Sequence, residues 1–167
     1  GLGHRGFRIN DFGEHIIHAL HPHGYTSYLT GVQHICGKDA IPDIGYTRIL
    51  DESDTAKRSI EERATGFLLD APEEPFFLSV GLGNTHRPFP DPPTRIDADT
   101  VLPPGPIPDT PITRSDFAGN LESAETLDRK MGQVLDALDS ANLGETTIVI
   151  CTTDHGPDFP RMKGEVN

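Results

Sequence analysis

The sequence predicts an α/β fold, a largely parallel sheet between helix layers, and three features carry that expectation. Helix-type and strand-type segments alternate along the 167 residues. Two runs, Phe76-Phe77-Leu78-Ser79-Val80-Gly81-Leu82 and Thr146-Thr147-Ile148-Val149-Ile150-Cys151-Thr152, are apolar on both faces, as strands covered by helices on both sides have to be. Three expected strands each run into a polar cluster that contains histidine: His34, His86, and the pair Asp154-His155. Ligands of open α/β sheets bind beyond the carboxyl ends of the strands, so such clusters on one sheet edge mark a site.

The elements follow in order. Asn10 or Asp11 can cap a first helix through Ile16, Ile17 and Leu20, whose spacing gives one buried face, and Pro22-His23-Gly24 ends it. Residues 25–30 are rich in β-branched and aromatic types and read as a strand leading into Gly31-Val32-Gln33-His34. Residues 41–50 read as loop with a short strand. Asp54 or Thr55 is expected to start a second helix through Ile60, Ala64 and Leu68, with Glu61, Glu62 and Arg63 as solvated charges. The apolar strand at 76–82 then runs into Asn84-Thr85-His86-Arg87-Pro88.

From Pro88 to Pro111 prolines recur every few residues, which describes a long loop within a domain because a strongly periodic helix follows directly. Ser115 or Asp116 would cap that helix. Leu121, Ala124, Leu127, Met131, Val134, Leu135 and Leu138 would form its core face, and Asn142-Leu143-Gly144 would stop it. The last apolar strand runs into Thr153-Asp154-His155-Gly156.

Composition narrows the function classes. A formal net charge of −12 argues against a nucleic-acid-binding module, whose footprint is basic. No apolar run is long enough for a membrane-spanning helix. Cys36 and Cys151 lack metal-ligand spacing and are expected as two buried free thiols. Gly1-Leu2-Gly3-His4 at the start and Val166-Asn167 at the end carry no leader, cap or tail signal, so the chain is expected to be an internal part of a larger domain.

The strand-end residues carry definite chemistry. A carboxylate and an imidazole side by side, as in Asp154-His155, can both face a divalent cation, and Gly156 lets the backbone turn sharply after them. His86 or Arg87 can hydrogen-bond an oxyanion, and His86 can protonate a leaving oxygen. The plainer alternative for His34 and His86 is a histidine that pins its loop to the backbone, and for Lys163 a solvated surface lysine. His15, His18, His21 and His23 form a second cluster, but no carboxylate or cysteine accompanies them at fixed spacing and no metal site is expected there.

Taken in order, these motifs resemble the sulfatase family of the alkaline-phosphatase superfamily, in particular its sulfohydrolase- and arylsulfatase-like members. The resemblance runs over nearly the whole chain. Gly1-Leu2-Gly3-His4-Arg5-Gly6-Phe7 is similar to the segment after that family's nucleophile helix. Gly24-Tyr25-Thr26 with Gly31-Val32-Gln33-His34, Pro75-Phe76-Phe77-Leu78 with Asn84-Thr85-His86-Arg87, and Thr153-Asp154-His155-Gly156 with Phe159-Pro160-Arg161-Met162-Lys163 resemble three further motifs. The fold implied is alkaline-phosphatase-like, with residues 1–167 as the central part of one catalytic domain, incomplete at both ends.

The resemblance implies a metal-dependent hydrolase of sulfuric esters or sulfamates, with an aryl sulfate or sulfated sugar as the small substrate. Asp154 and His155 would be metal ligands, with Ca²⁺ the first expectation and Mn²⁺ or Mg²⁺ next. His34, His86 and Lys163 would be catalytic: His34 orienting a formylglycine nucleophile, His86 and Lys163 binding sulfate oxygens. The four side chains His34, His86, Asp154 and Lys163 are expected around one pocket.

Three departures qualify this. His155 replaces the asparagine commoner in sulfatases, as also happens in related phosphonate and phosphodiester hydrolases, and Val32 stands where many sulfatases have lysine. Neither Cys36 nor Cys151 lies in the C-x-P-S-R nucleophile context, so formylglycine would arise upstream and the isolated chain is expected to be inactive. A superfamily enzyme acting on phosphorus, a non-catalytic binding domain and a truncated product without activity are the alternatives. Unpaired strand edges would favour self-association.

Overall fold

In a computed structural model the structure describes residues 7–52, 58–73, 75–160 and 162. Two compact units emerge, Gly1–Leu82 with Gln133–Gly144, and Gly83–Gly132 with Glu145–Asn167. The expected α/β class is present: a parallel three-stranded sheet in the order β2-β1-β3, with helices.

The first unit is built around β1 (Thr26–Gly31), which pairs with β2 (Arg48–Ile49) and β3 (Phe76–Gly81). The sequence read the Phe76 run as a central strand covered on both faces; both faces are covered, but the central strand is β1, with Ser27, Tyr28, Leu29 and Thr30 buried. Side chains alternate across β3, and each face has its own cover. Phe76 and Leu78 pack with Leu68, Ala137, Leu138 and Leu143 on one side. Phe77 packs with Ile17, Cys36 and Ile44 on the other. Burying a side chain such as Leu29, 1% exposed, contributes about 1.5–3 kcal/mol.

The strands end where main chains touch. Gly31 pairs with Gly81 in the ladder, and the N–H of Val32 donates to the Gly81 carbonyl at 2.8 Å. A Cβ on Gly81 would fall 1.7 Å from the Val32 oxygen, and Gly31 sits at φ 86°. Only glycine fits both places.

The helices of this unit start later than their sequence signals. Asp11 caps a short 3-10 turn, Phe12–Glu14, and His15 then caps α1 (Ile16–Leu20). Of α2 (Ile60–Leu69) the cap is Ser59, in a capping box with Glu62. Asp54 and Thr55 lie outside the described residues. Arg63 is not a solvated charge: its side chain is 9% exposed and its Nε lies 2.8 Å from Asp51 Oδ1. The clustered histidines serve the fold. His18 Nε2 donates to the Ile44 carbonyl at 2.8 Å, and His21 Nε2 shares a 2.8 Å hydrogen bond with Ser27 Oγ.

Helix α3 (Pro111–Ser140) begins before the expected Ser115 or Asp116, because Thr110 and Thr113 exchange backbone-to-hydroxyl hydrogen bonds around Pro111. Within the second unit its buried positions are Ala118, Gly119, Asn120, Glu122 and Ser123, while Ala124, expected in the core, is exposed. In the first unit Leu135, likewise expected in the core, is 42% exposed, and Ala137 and Leu138 are buried. Polar burial has a purpose here. Glu122 Oε1 accepts the backbone N–H groups of Arg95 and Ile96, which pins the proline-rich loop and holds the carboxyl below the usual range. That loop also crosses the helix at Gly119, where a Cβ would meet the Pro90 carbonyl at 2.4 Å.

The last expected strand does not form. Residues 147–152 have no ladder partner, and Ile148, Val149 and Ile150 are 87%, 56% and 77% exposed. A strand exists only through its neighbour, and no described segment pairs with this one. Cys151 is therefore exposed, against the expectation of burial, while Cys36 is buried, and both thiols are free. No helix among the described residues is long and apolar enough to cross a membrane.

Candidate functional site

Each described candidate residue sits on the loop that its preceding apolar segment releases. His34 follows β1 in the first unit and is exposed. Its loop is organised by Gln33, whose Oε1 accepts from the N–H groups of Ile35 and Cys36 at 2.8 and 3.1 Å and whose Nε2 donates to the Cys36 carbonyl. The strand end before it is clamped by Asp51, which accepts from Thr30 Oγ1 at 2.8 Å and from the Gly31 N–H at 3.0 Å, while Arg63 Nε reaches Thr30 Oγ1. From sequence alone Gln33 and Asp51 have no role of their own, and Arg63 reads as a solvated charge.

The second unit contains His86, Asp154 and His155. The turn after β3 closes through the His86 N–H on the Gly83 carbonyl at 2.9 Å, and Asn84 Nδ2 donates to Ser123 Oγ of α3 at 3.1 Å. His86 Nδ1 lies 2.6 Å from the Arg87 carbonyl. A carbonyl only accepts, so Nδ1 carries the proton and Nε2 is the nitrogen left for chemistry.

His155 repeats the device. Its Nδ1 donates to the Gly156 carbonyl at 2.7 Å, which makes Nε2 the ligand nitrogen of the neutral ring. Thr153 Oγ1 donates to the His155 carbonyl at 2.8 Å and steadies the turn. Asp154 Oδ1 lies 3.7 Å from His155 Nε2, and both side chains reach solvent. Gly156 approaches the Met162 carbonyl so closely that a Cβ would stand 2.9 Å from it.

The donor pair can be tested against a cation. Two ligands on one ion with bonds of about 2.1–2.4 Å lie about 3–3.5 Å apart, so the carboxylate oxygen and the imidazole nitrogen are close to that spacing. They fit as two members of a set. The described residues bring together no group of three or more histidine, cysteine or acidic side chains that could complete it.

Arg87 holds the two loops of this unit. Its NH1 and NH2 donate to Asp116 Oδ1 and Oδ2 at 2.8 and 2.6 Å, and its Nε donates to the Asp158 carbonyl at 3.0 Å. The guanidinium carbon lies 4.4 Å from the Phe89 ring centre and 5.2 Å from that of Phe159. Hydrogen bonding to Asp116 raises its already high pKa further. Phe89, Ile107 and Phe159 are buried together beneath it, with Phe117 and Met162 against them. The sequence offered Arg87 as an oxyanion ligand beside His86; the structure has it binding protein. The repeated Asp-Phe pairs at 116–117 and 158–159 were the available signal, but nothing local said that they meet.

Lys163 lies outside the described residues. A recess beside β2, lined by Pro42, Tyr46, Thr47, Arg48 and Ile49, contains none of the candidate residues.

Comparison with known proteins adds two findings. A profile of the family described as Sulfatase matches residues 12–165. N-sulphoglucosamine sulphohydrolase of Homo sapiens is 28% identical over 166 aligned residues, which take in 82% of this chain and 33% of that protein. The chain therefore spans about a third of the length of this curated relative.

Proposed function

Since the chain belongs to the sulfatase family, we propose that it carries part of the site of a sulfuric ester or sulfamate hydrolase. One observation supports this above the others. In one unit, His86 and His155 each give Nδ1–H to the next carbonyl and so keep Nε2 for chemistry, with the Asp154 carboxylate beside the second ring.

In this reading Asp154 and His155 are two ligands of a divalent cation, Ca²⁺ before Mn²⁺ or Mg²⁺. When bound, the cation supplies positive charge for the oxygens of the transferring sulfuryl group. His86 Nε2 takes up a proton and donates it to the leaving oxygen or nitrogen, while Nδ1–H stays on the Arg87 carbonyl and fixes the ring. For His34 and Lys163 the support is the motif order alone: His34 beside a formylglycine nucleophile, Lys163 on a sulfate oxygen. No cysteine of this sequence has the nucleophile context, so these 167 residues by themselves are proposed to bind without turning over. The substrate class is a small aryl sulfate or sulfated sugar, the latter in keeping with the name of the human relative.

A second reading, hydrolysis of a phosphodiester or phosphonate ester, is favoured by His155 in place of asparagine and by Val32 in place of lysine. The deciding experiment assays a full-length protein containing these residues on an aryl sulfate and an aryl phosphodiester, with and without chelator. We expect cation-dependent sulfate release, reduced by about a hundredfold or more in His86→Gln and further in Asp154→Asn. Preference for the phosphodiester would transfer the assignment to phosphorus. Cation-dependent turnover by the 167 residues alone would refute the proposed missing nucleophile.

A further inference from the structure

Three segments of the second unit converge on one guanidinium. The loop after β3 supplies Arg87 and Phe89, helix α3 supplies Asp116 and Phe117, and the loop carrying Asp154 and His155 supplies the Asp158 carbonyl and Phe159. A lysine could provide the charge but not the fork, since the bidentate pairing needs two parallel N–H groups and the third contact needs Nε. The aromatic rings complete the anchor. Phe159 lies 5.7 Å from both Phe89 and Phe117, so the guanidinium ties down a loop whose apolar end is already buried.

The loop is also held within itself. Its internal hydrogen bonds are short in span: Phe159 N–H to Pro157, Met162 N–H to Phe159, Thr153 Oγ1 to His155. The Arg87 Nε contact to the Asp158 carbonyl ties residues 153–160 to a distant part of the chain. It acts three residues beyond His155, on the side away from the apolar 146–152 segment.

We infer that Arg87 is a positioning residue: by binding Asp116, the Asp158 carbonyl and the Phe89–Phe159 pair at once, it fixes the loop that presents Asp154 and His155 relative to the loop that presents His86. Its function rests on the proposed cation site, but the fixation itself does not, and the two can be tested apart. Arg87 has three of its N–H groups committed to protein, so it holds the site rather than the substrate.

The test uses the whole chain with Arg87→Lys, Asp116→Asn and the double variant. Amide hydrogen exchange at Phe159 and Met162 is compared with that at Val32, whose N–H closes the β1–β3 crossing in the other unit. Mn²⁺ titration is followed through paramagnetic broadening of the His155 ring protons. Each single variant is expected to speed exchange at Phe159 and Met162 about tenfold and leave Val32 unchanged, with the double variant no faster than the singles. Mn²⁺ affinity is expected to fall in parallel. If Arg87→Lys does not fold, Asp116→Asn, which keeps the guanidinium, carries the same comparison.

Unchanged exchange at Phe159 and Met162 overturns the inference, as does equal acceleration at Val32. A wild-type chain that binds no Mn²⁺ while exchange still depends on Arg87 overturns the cation reading and supports the fixation.

Discussion

Residues 76–81 and residues 146–152 are close in chemistry. Both are short, apolar on both faces and followed within a few residues by a histidine turn of the same hydrogen-bond pattern. Their fates differ. The first forms β3, paired residue for residue with β1 and half-buried throughout; in the second, residues 147–152 join no ladder among the described residues, and Ile148 and Ile150 are largely in solvent. Intrinsic preference cannot separate them, so the difference lies in the neighbour. A β-strand is half an interaction, and composition reports only the half that the segment brings.

Breaking the paired region is expected to have the largest effect. Gly81→Ala drives a Cβ into the Val32 carbonyl, and the two strands cannot part without losing their last hydrogen bond. We expect a loss of about 3 kcal/mol or more in urea unfolding. Gly105→Ala, whose Cβ would meet nothing, is the control and stays near wild type. Equal midpoints for the two would show that the crossing is not tight.

Next in size is the clamp on β1. Asp51→Asn leaves Arg63, 9% exposed, with a weaker partner and removes a charged acceptor from Thr30 and Gly31. A cost of about 1–3 kcal/mol is expected, with faster amide exchange at Gly31. A midpoint within experimental error of wild type would reduce the clamp to a surface ion pair.

The smallest effect on stability belongs to the unpaired segment. Ile148→Lys with Ile150→Lys is expected to change unfolding by less than about 0.5 kcal/mol, because these side chains are already in water. It is expected to change association far more. An uncharged, β-branched, unpaired run invites pairing between copies, so light scattering should show wild type above monomer mass and the variant at it. A monodisperse wild-type monomer would mean that exposure of this run has no consequence for assembly.

The same contrast explains what the sequence could reveal. β1, β3 and the α/β class were readable because alternation and apolar runs are local, and the histidine turns because they follow those runs directly. The central position of β1 was not, since order in a sheet is set by pairing across some fifty residues, as in Thr26 with Phe76. The start of α2 was displaced because Ser59 caps it in a box with Glu62, a local S-x-x-E signal that the reading at Asp54 or Thr55 passed over. Arg63 was misassigned, and the anchoring by Arg87 was missed, for one reason. A guanidinium's role is decided by its acceptors, and Asp51 and Asp116 are remote in sequence from the arginines they bind. Asp154 and His155, by contrast, are neighbours, so their pairing was visible before any fold.

The histidine turns have a consequence of their own. In each, the group that turns the ring is the very next peptide, so the imidazole's outward edge is specified within a dipeptide and not by the surrounding architecture. Lengthening or trimming the loops around such a unit would carry the ring to a new address without rotating it. Chemistry held in this way is portable: the scaffold can be remodelled while the same nitrogen continues to face outward.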